Sequence, residues 1–515
     1  MRSKKINLVV VPLLLTAGSH NDGPLVQDVY NNQYDCARDW NNETCKQENS
    51  SSGHGSSYVG SRYLGPAYYQ NNREVSYHGN TLHPYSNLSV GRPIISSTAK
   101  SASSSSPIRG GFGRSGFSFG GSILRHSLNM KRKIFTPRPD WQVEHQNIGF
   151  DYFNLPSLDG SIYWSEGVAY EFTLKQIEQL EDAANELHQM CLSVVGDLIQ
   201  RGDYPAYFQI PETAISHIEH SWKQNAPMLY GRFDFAYDGR NIKMLEYNAD
   251  TPTGLLEASV AQWLWIEQVS GIANRDQFNS IHEELIKRWK TILPRGSHVH
   301  FAACQEAGRE DWGNLEYLMD TAYQAHLQVS ELSMENIGWN GQDFVDLHNQ
   351  PIQNIFKLYP WEWIWEEAFS QYIHPQTQWI EPCWKMLLSN KAILVELWKC
   401  YPNHPLLVET HTYDPQQSLS GKWVKKPILA REGANIRVLQ DGHDQGAASG
   451  SFYFDDYDKY GYVVQKWVDT PLFSGQLPTL GLWMVGHQCT GMSIREDCYD
   501  IIGNDAHFAA HYFVE

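Results

Sequence analysis

From Met130 to the C-terminus, apolar and polar residues fall into regular blocks. Thr173-x-x-Gln176 is a capping box, and Ile177, Leu180, Ala184, Leu187, Cys191, Val194 and Leu198 follow it at helical spacing, which predicts one long amphipathic helix. Further helical patterns cover 255–269, 279–291, 314–325 and 390–400, and strand-like runs cover 243–247, 297–302, 423–430, 462–468 and 481–485. Strands and helices are intermixed without an internal repeat, so the predicted class is α+β, at the size of an enzyme.

The densest chemistry lies between Gly231 and Asn248. Two alternating runs flank the turn signal Asp238-Gly239-Arg240-Asn241 and read as a β-hairpin. Alternation places Arg232 and Asp234 on one face, and likewise Glu246 and Asn248. A three-residue loop, Gly239 to Asn241, would set Asp234 opposite Glu246 and Arg232 opposite Asn248. Asp234, Glu246 and Asn248 would then offer oxygen ligands of the kind Mg²⁺ takes, with Arg232 placed to stabilise charge on a phosphoryl group. A polar hairpin face closed by a salt bridge satisfies the same pattern, so the hairpin alone leaves both readings open.

Before Met130 the chain changes character. Residues 1–18 have a basic start (Arg2, Lys4, Lys5) and an apolar run from Leu8 to Leu15, too short to cross a bilayer as a helix and proportioned like a signal peptide. Ser19 stands where a lipoprotein cleavage box needs cysteine, so no lipid attachment is expected. Residues 19–129 are rich in Ser, Gly, Asn and Tyr, a composition that predicts mostly disorder, with room for a small ordered patch around Cys36 and Cys45. Those two cysteines could pair if the region were exported. This stretch resembles parts of a family of small bacterial envelope proteins of unknown function. The other cysteines, Cys191, Cys304, Cys383, Cys400, Cys489 and Cys498, have no metal-type spacing and read as buried structural thiols.

Charge sharpens the division. The formal net charge is −18, yet residues up to Arg125 hold 12 Lys+Arg against 7 Asp+Glu, leaving −23 on the remainder. An acidic globular part argues against nucleic acid as a partner and suits a cationic substrate.

Downstream, Lys391 opens an apolar helix and 425–429 reads as a strand, followed by the loop Ala430 to Ile436 and another strand. Strand, loop and strand make a lid whose N–H groups can cover phosphates while lysines neutralise them, although an ordinary hairpin with exposed lysines fits as well. Val463 to Val468 is an apolar strand whose backbone could bond an adenine edge. Arg495 is read as following a strand, where it either holds a phosphate or pairs with Glu496 or Asp497.

In this order, Arg-Phe-Asp at 232–234, Leu-Glu-Tyr-Asn-x-Asp-Thr-Pro-Thr at 245–253, Lys-Lys-Pro-Ile-Leu-x-Arg-Glu-Gly-x-Asn-Ile at 425–436 and Ile-Arg-Glu-Asp at 494–497 resemble the synthetase domain of glutathionylspermidine synthases, an ATP-grasp-type ligase family. The resemblance spans about 130–515 and implies an ATP-grasp-like ligase fold. It implies that Arg232 stabilises the transferring phosphoryl group and that Asp234, Glu246 and Asn248 hold Mg²⁺. Lys391 and Lys426 match lysines that hold ATP phosphates, with Glu432 and Gly433 in the covering loop and Gln465, Lys466, Trp467 and Val468 along the adenine. Arg495 matches an arginine of the substrate and nucleotide pocket. Thr251 and Thr253 stand where the family has serines near the peptide, and Glu310 and Asp311, in a looser stretch, match acids facing the substrate. The amidase that precedes the synthetase in bifunctional members has no counterpart expected here, since no Cys–His pair suits it.

The implied activity is an ATP- and Mg²⁺-dependent C–N ligase joining a glutathione-like peptide carboxylate to a spermidine-like amine through an acyl phosphate. Two alternatives stay open: the same scaffold acting on another peptide and amine, or a non-catalytic nucleotide-binding envelope protein. ATP use places the ligase part in the cytoplasm, against the signal-like start; either the first residues are not a working signal, or Met130 begins an independent product and the long chain fuses two reading frames. Neither nucleic acid binding nor stable membrane insertion is expected.

Overall fold

The capping box forms as its spacing requires. Thr173 Oγ1 accepts the Gln176 N–H at 3.3 Å while Gln176 Oε1 accepts the Thr173 N–H at 3.0 Å. The helix runs Leu174–Arg201 and stops at Gly202, whose φ of 62° is the left-handed conformation that glycine adopts without strain. All seven apolar residues of the predicted stripe are buried. Each large one contributes roughly 1.5–3 kcal/mol by leaving water, so packing rather than propensity holds this helix.

The computed structural model describes residues 130–514 apart from 157–160, 274 and 504–505, with shorter stretches before them: 8–10, 25–30, 36–37, 40, 45–47, 63–69, 75–77 and 80–82. The long helix lies on a seven-stranded sheet ordered Ile242–Asn248, Tyr230–Tyr237, Leu477–Val485, Gln488–Asp497, His507–Val514, Trp164–Thr173 and Lys131–Ile134. Neighbours are antiparallel except His507–Val514 beside Trp164–Thr173. Phe233, Phe235, Leu480, Leu482, Met492 and Ile494 point from this sheet into the helix-side core. The opposite face divides along its strands: Tyr230, Trp483 and Val485 enter a second core, whereas Arg232, Asp234, Thr479 and Gly481 line a cavity. The period-2 pattern of one strand therefore serves both core and site.

The second core also holds a four-stranded parallel sheet, ordered Gln328–Ser333, His298–Ala303, Asn354–Leu358 and Gln378–Ile380, with helices Ile281–Ile292 and Arg309–Gln324 packed on it. A third, five-stranded antiparallel sheet, Thr410–Thr412, Tyr462–Lys466, Lys422–Pro427, Arg437–Gln440 and His443–Ala447, covers the cavity as a lid.

Several expectations need correction. Arg495 follows the strand Leu477–Val485, as expected, but itself sits within the next strand, Gln488–Asp497, so Arg495 and Glu496 face opposite ways. Glu496 is claimed by Arg132, at 2.7 and 2.8 Å, and by the Tyr170 hydroxyl. The strand expected over 423–430 ends at Pro427, and the helical pattern at 255–269 contains a π-helical turn, Glu257–Ala261. Cys400 and Cys498 are exposed and Cys304 is half-buried, so only Cys191, Cys383 and Cys489 are the buried thiols foreseen.

Before Met130, Leu8–Val10, Leu25–Tyr30, Tyr63–Tyr69 and Lys46–Gln47 form a small sheet, and Cys36 is disulfide-bonded to Cys45. Tyr30, Cys36, Trp40 and Tyr63 make its core. This is the small ordered patch for which the sequence left room; a crosslink and three aromatic side chains supply what aliphatic residues do not. The disorder expected for the rest of that stretch, and most of the signal-like segment, lie outside the described residues. No helix among the described residues is long and apolar enough to cross a membrane.

Candidate active site

Asp234 does pair with Glu246, and Arg232 with Asn248, but by a different route from the one expected. Tyr237 pairs with Ile242, so the loop has four residues, 238–241, and a β-bulge between Met244 and Glu246 restores the register. Leu245 and Glu246 consequently both line the cavity. Asp238 secures the turn by accepting the Arg240 and Asn241 N–H groups at 2.8 and 2.7 Å.

Arg232 is held from three directions. Its Nε meets Asp234 Oδ1 at 2.6 Å and Nη2 meets Oδ2 at 3.0 Å, a bidentate pair, while Nη1 donates to the Thr253 carbonyl at 2.8 Å. Burial opposes its charge, yet Asp234 and then Glu246 outweigh burial and keep the guanidinium firmly protonated. The neighbouring strand must leave room for this side chain. A Cβ on Gly481 would lie 2.5 Å from Ser493 Oγ and 2.8 Å from Arg232 Cδ, so glycine is required there.

Asn248 Nδ2 donates to Asp234 Oδ2 at 2.9 Å and to Glu246 Oε1 at 3.2 Å, so both carboxylates converge on one amide. Lys391 Nζ lies 3.1 Å from Glu246 Oε2 and donates to the Ala430 carbonyl at 2.7 Å. Burial would raise the Glu246 carboxyl, but Lys391 and Lys426 hold it down at about 2. Lys426 donates to Gln465 Oε1 at 2.7 Å; desolvation brings its ammonium down to about 8 despite Glu246. The Lys391 N–H bonds the Ile428 carbonyl at 3.0 Å, which ties the lysine turn to the lid.

Gly433 has φ 72°, and a Cβ there would stand 2.8 Å from the Ile502 carbonyl oxygen, so the loop crosses 501–503 backbone to backbone. Arg431, in the same loop, donates to Thr251 Oγ1 and to Glu362 Oε1. Thr253 joins two parts of the site: its carbonyl holds Arg232 and its hydroxyl donates to Glu310 at 2.9 Å. Burial, with Glu310 and Glu432 nearby, pushes the Asp311 carboxyl up to about 6, and burial and Glu310 raise Glu432 as well. Arg495 Nη2 donates to the Gly503 and Ala506 carbonyls, and its guanidinium lies 6.0 Å from the Tyr163 ring centre.

These residues surround one cavity of about 660 Å³, within the size range of small-ligand sites. Arg232, Asp234, Glu246 and Asn248 lie on its wall with Thr251, Thr253, Glu310 and Asp311. Lys391, Lys426, Glu432, Gly433, Gln465, Lys466, Trp467, Val468 and Arg495 complete the residues singled out from sequence; all reach the same space. Trp467 and Val468 do so from beyond the end of their strand. Sequence reasoning passed over Tyr163 and Arg431. Arg431 stood inside a quoted motif, whereas nothing local marks Tyr163.

Two carboxylates and an amide that can present its oxygen form a hard-donor set compatible with Mg²⁺. Among the described residues, no group of three or more His, Cys, Asp or Glu side chains is arranged to hold a metal ion.

The family model described as glutathionylspermidine synthase preATP-grasp matches residues 132–514. A Haemophilus influenzae protein provisionally named an acid–amine ligase is 50% identical over 394 residues, covering 75% of this chain and 100% of that protein. Trypanothione synthetase of Crithidia fasciculata is 27% identical over 375 residues, 66% of this chain and 55% of its own. The bifunctional glutathionylspermidine synthetase/amidase of Escherichia coli is 25% identical over 361 residues, 64% of this chain and 56% of its own. The chain thus spans the whole Haemophilus relative but little more than half of the other two.

Proposed function

Since the chain belongs to the glutathionylspermidine synthase family, we propose that it is an ATP-dependent acid–amine ligase that joins the carboxylate of a glutathione-like peptide to a spermidine-like amine. The observation that carries this reading is the meeting of Arg232, the Asp234–Glu246–Asn248 set and the Lys391–Lys426 pair in one lidded cavity. An antiparallel lid over this cavity, facing a mostly antiparallel sheet, also supports an ATP-grasp-like description.

A carboxylate acylates poorly until it becomes a mixed anhydride with phosphate, and this is the reason for ATP. The peptide carboxylate takes the γ-phosphoryl group, ADP departs, the amine attacks the acyl carbon, and phosphate leaves as the amide forms. Arg232, charged and aimed by Asp234 and Thr253, stabilises the negative charge that builds on the transferring group. Lys391 and Lys426 hold the phosphates beneath the Glu432–Gly433 loop, and Gln465 to Val468 run along the base. Asp234, Glu246 and Asn248 would hold Mg²⁺, which when bound neutralises and orients phosphate oxygens. Thr251 and Thr253 take the peptide, Arg495 serves the substrate and nucleotide pocket, and Glu310 and Asp311 draw in the ammonium group. The lid excludes water that would otherwise hydrolyse the acyl phosphate.

The test is ADP release with glutathione and other peptides against spermidine and other amines. Release that requires both a peptide and an amine, with an amide product by mass, supports the ligase. Nucleotide binding without turnover across the panel would refute it.

A further inference from the structure

Glu257 lies in the π-helical turn Glu257–Ala261 and is 0% exposed. Its Oε1 accepts the Tyr163 hydroxyl at 2.9 Å, while its Oε2, with the Tyr152 hydroxyl close to the carboxyl, makes no hydrogen bond of good geometry among the described residues. A buried carboxyl with one oxygen unused costs stability unless it serves some purpose. Tyr163 is 6% exposed and lines the cavity that holds Arg232, Glu310 and Arg495. The residue bridging these groups is Thr253, bound to Arg232 through its carbonyl and to Glu310 through its hydroxyl. Tyr163, its hydroxyl backed by a buried carboxylate, thus borders the cavity in which the ligase reading puts acyl transfer.

We propose that Tyr163 and Glu257 form the proton relay that converts the incoming ammonium group into the attacking amine. The proposal rests on the ligase reading and adds to it the group that accepts the amine proton. An alkylammonium ion has no lone pair and cannot attack until it loses a proton. In the relay, the ammonium N–H bond breaks and its proton passes to Tyr163 Oη, while the phenolic proton crosses to Glu257 Oε1. The nitrogen keeps the electron pair and forms the C–N bond; phosphate carries away the electrons of the broken C–O bond together with the second proton that nitrogen sheds as the amide forms. Tyr163 stays neutral throughout and Glu257 ends as the acid. No oxidant or further reactant is needed.

The surroundings suit a group that must gain and lose a proton. Tyr152 and Tyr163 face Glu257 from the segment around the first long strand, and Glu310 from helix Arg309–Gln324; Arg309 acts on Tyr152 and Arg495 on Tyr163 rather than on Glu257 itself. On helix Ile281–Ile292, His282 bonds the Tyr317 hydroxyl at 3.0 Å instead. Burial, and then the charge of Glu310, push the Glu257 carboxyl up to about 7. Burial raises Tyr163 well above the ordinary phenol range, so a phenolate is not the acceptor.

Tyr163→Phe and Glu257→Gln, with ATP, peptide and either an alkylamine or hydroxylamine, test the relay. Hydroxylamine is unprotonated at neutral pH and needs no deprotonation before attack. For the alkylamine, kcat/KM should fall roughly 10²–10⁴-fold in both variants, the range for loss of general base catalysis, and the wild-type bend near pH 7 should be lost in Glu257→Gln, whose rate should instead climb steadily with pH in proportion to the free amine. Hydroxamate formation from hydroxylamine should stay near the wild-type rate. Equal loss with both nucleophiles would mean that Glu257 and Tyr163 only shape the wall, and would overturn the relay. Wild-type protein that makes no hydroxamate would instead sink the ligase reading itself.

Discussion

Replacing Lys357 with methionine would keep most of the side-chain stem and remove the ammonium that Asp250 Oδ1 meets at 2.6 Å. The two side chains are 0% and 1% exposed, so water cannot take its place. Asp250 would retain the Trp361 N–H at 3.0 Å, a single donor for a carboxylate able to accept several bonds. Breaking a buried pair by removing one partner costs about 3–5 kcal/mol, a large part of the ~5–15 kcal/mol that holds a typical fold. The double variant Asp250→Asn/Lys357→Met removes both charges and should recover most of that loss. Activity should follow, because Asp250 begins the turn Thr251–Pro252–Thr253 whose carbonyl aims Arg232. A shift of about 1 Å there would lower the rate about 10²-fold. Urea unfolding followed by tryptophan fluorescence, with ADP release measured on the same preparations, gives both numbers. A loss below about 1 kcal/mol for Lys357→Met, or a double variant no more stable than the single one, would refute the reasoning.

Arg232→Ala should lower amide formation about 10²–10³-fold, the effect of removing one preorganised donor, with an unchanged circular dichroism spectrum; full ADP release with the true substrates would contradict its role. Because Asp311 titrates near 6 and only its ionised form attracts a cation, KM for the amine should fall as pH rises through about 6 and level off above it; Asp311→Asn should flatten that dependence. Lys426 carries its charge below about 8, so ATP affinity, read by calorimetry, should decline as pH rises past that value and hold steady in Lys426→Arg. Thr173→Ala removes the cap of the long helix and should destabilise the protein by about 1 kcal/mol in the same urea assay.

Local chemistry was legible wherever it repeats at short range. Capping and period-3.6 burial located the long helix from its own residues, and alternation placed Arg232, Asp234, Glu246 and Asn248 on one face. The expected loop was one residue too short, and the pairs survived only because the bulge at Leu245 shifts the register back. Turn length follows from four residues of local chemistry; a bulge reflects how a strand fits its neighbours, and no nearby residue announces it. Arg495 illustrates the same limit. Adjacency offered Glu496 or Asp497 as its partner if it did not hold a phosphate, but Arg132, 364 positions away in sequence from Glu496, holds that acid.

The order of motifs along the chain identifies the chemical groups present, and by resemblance the family, because each motif is a compact run whose residue types can be read directly. Which groups share a space was decided by tertiary structure alone. Lys391 meets Glu246, Arg431 reaches Thr251, and Tyr163 covers Glu257 across separations of many tens of residues. Such contacts arise when sheets and helices bury their apolar faces, a process that brings distant polar side chains together without leaving a pattern in the sequence around either one.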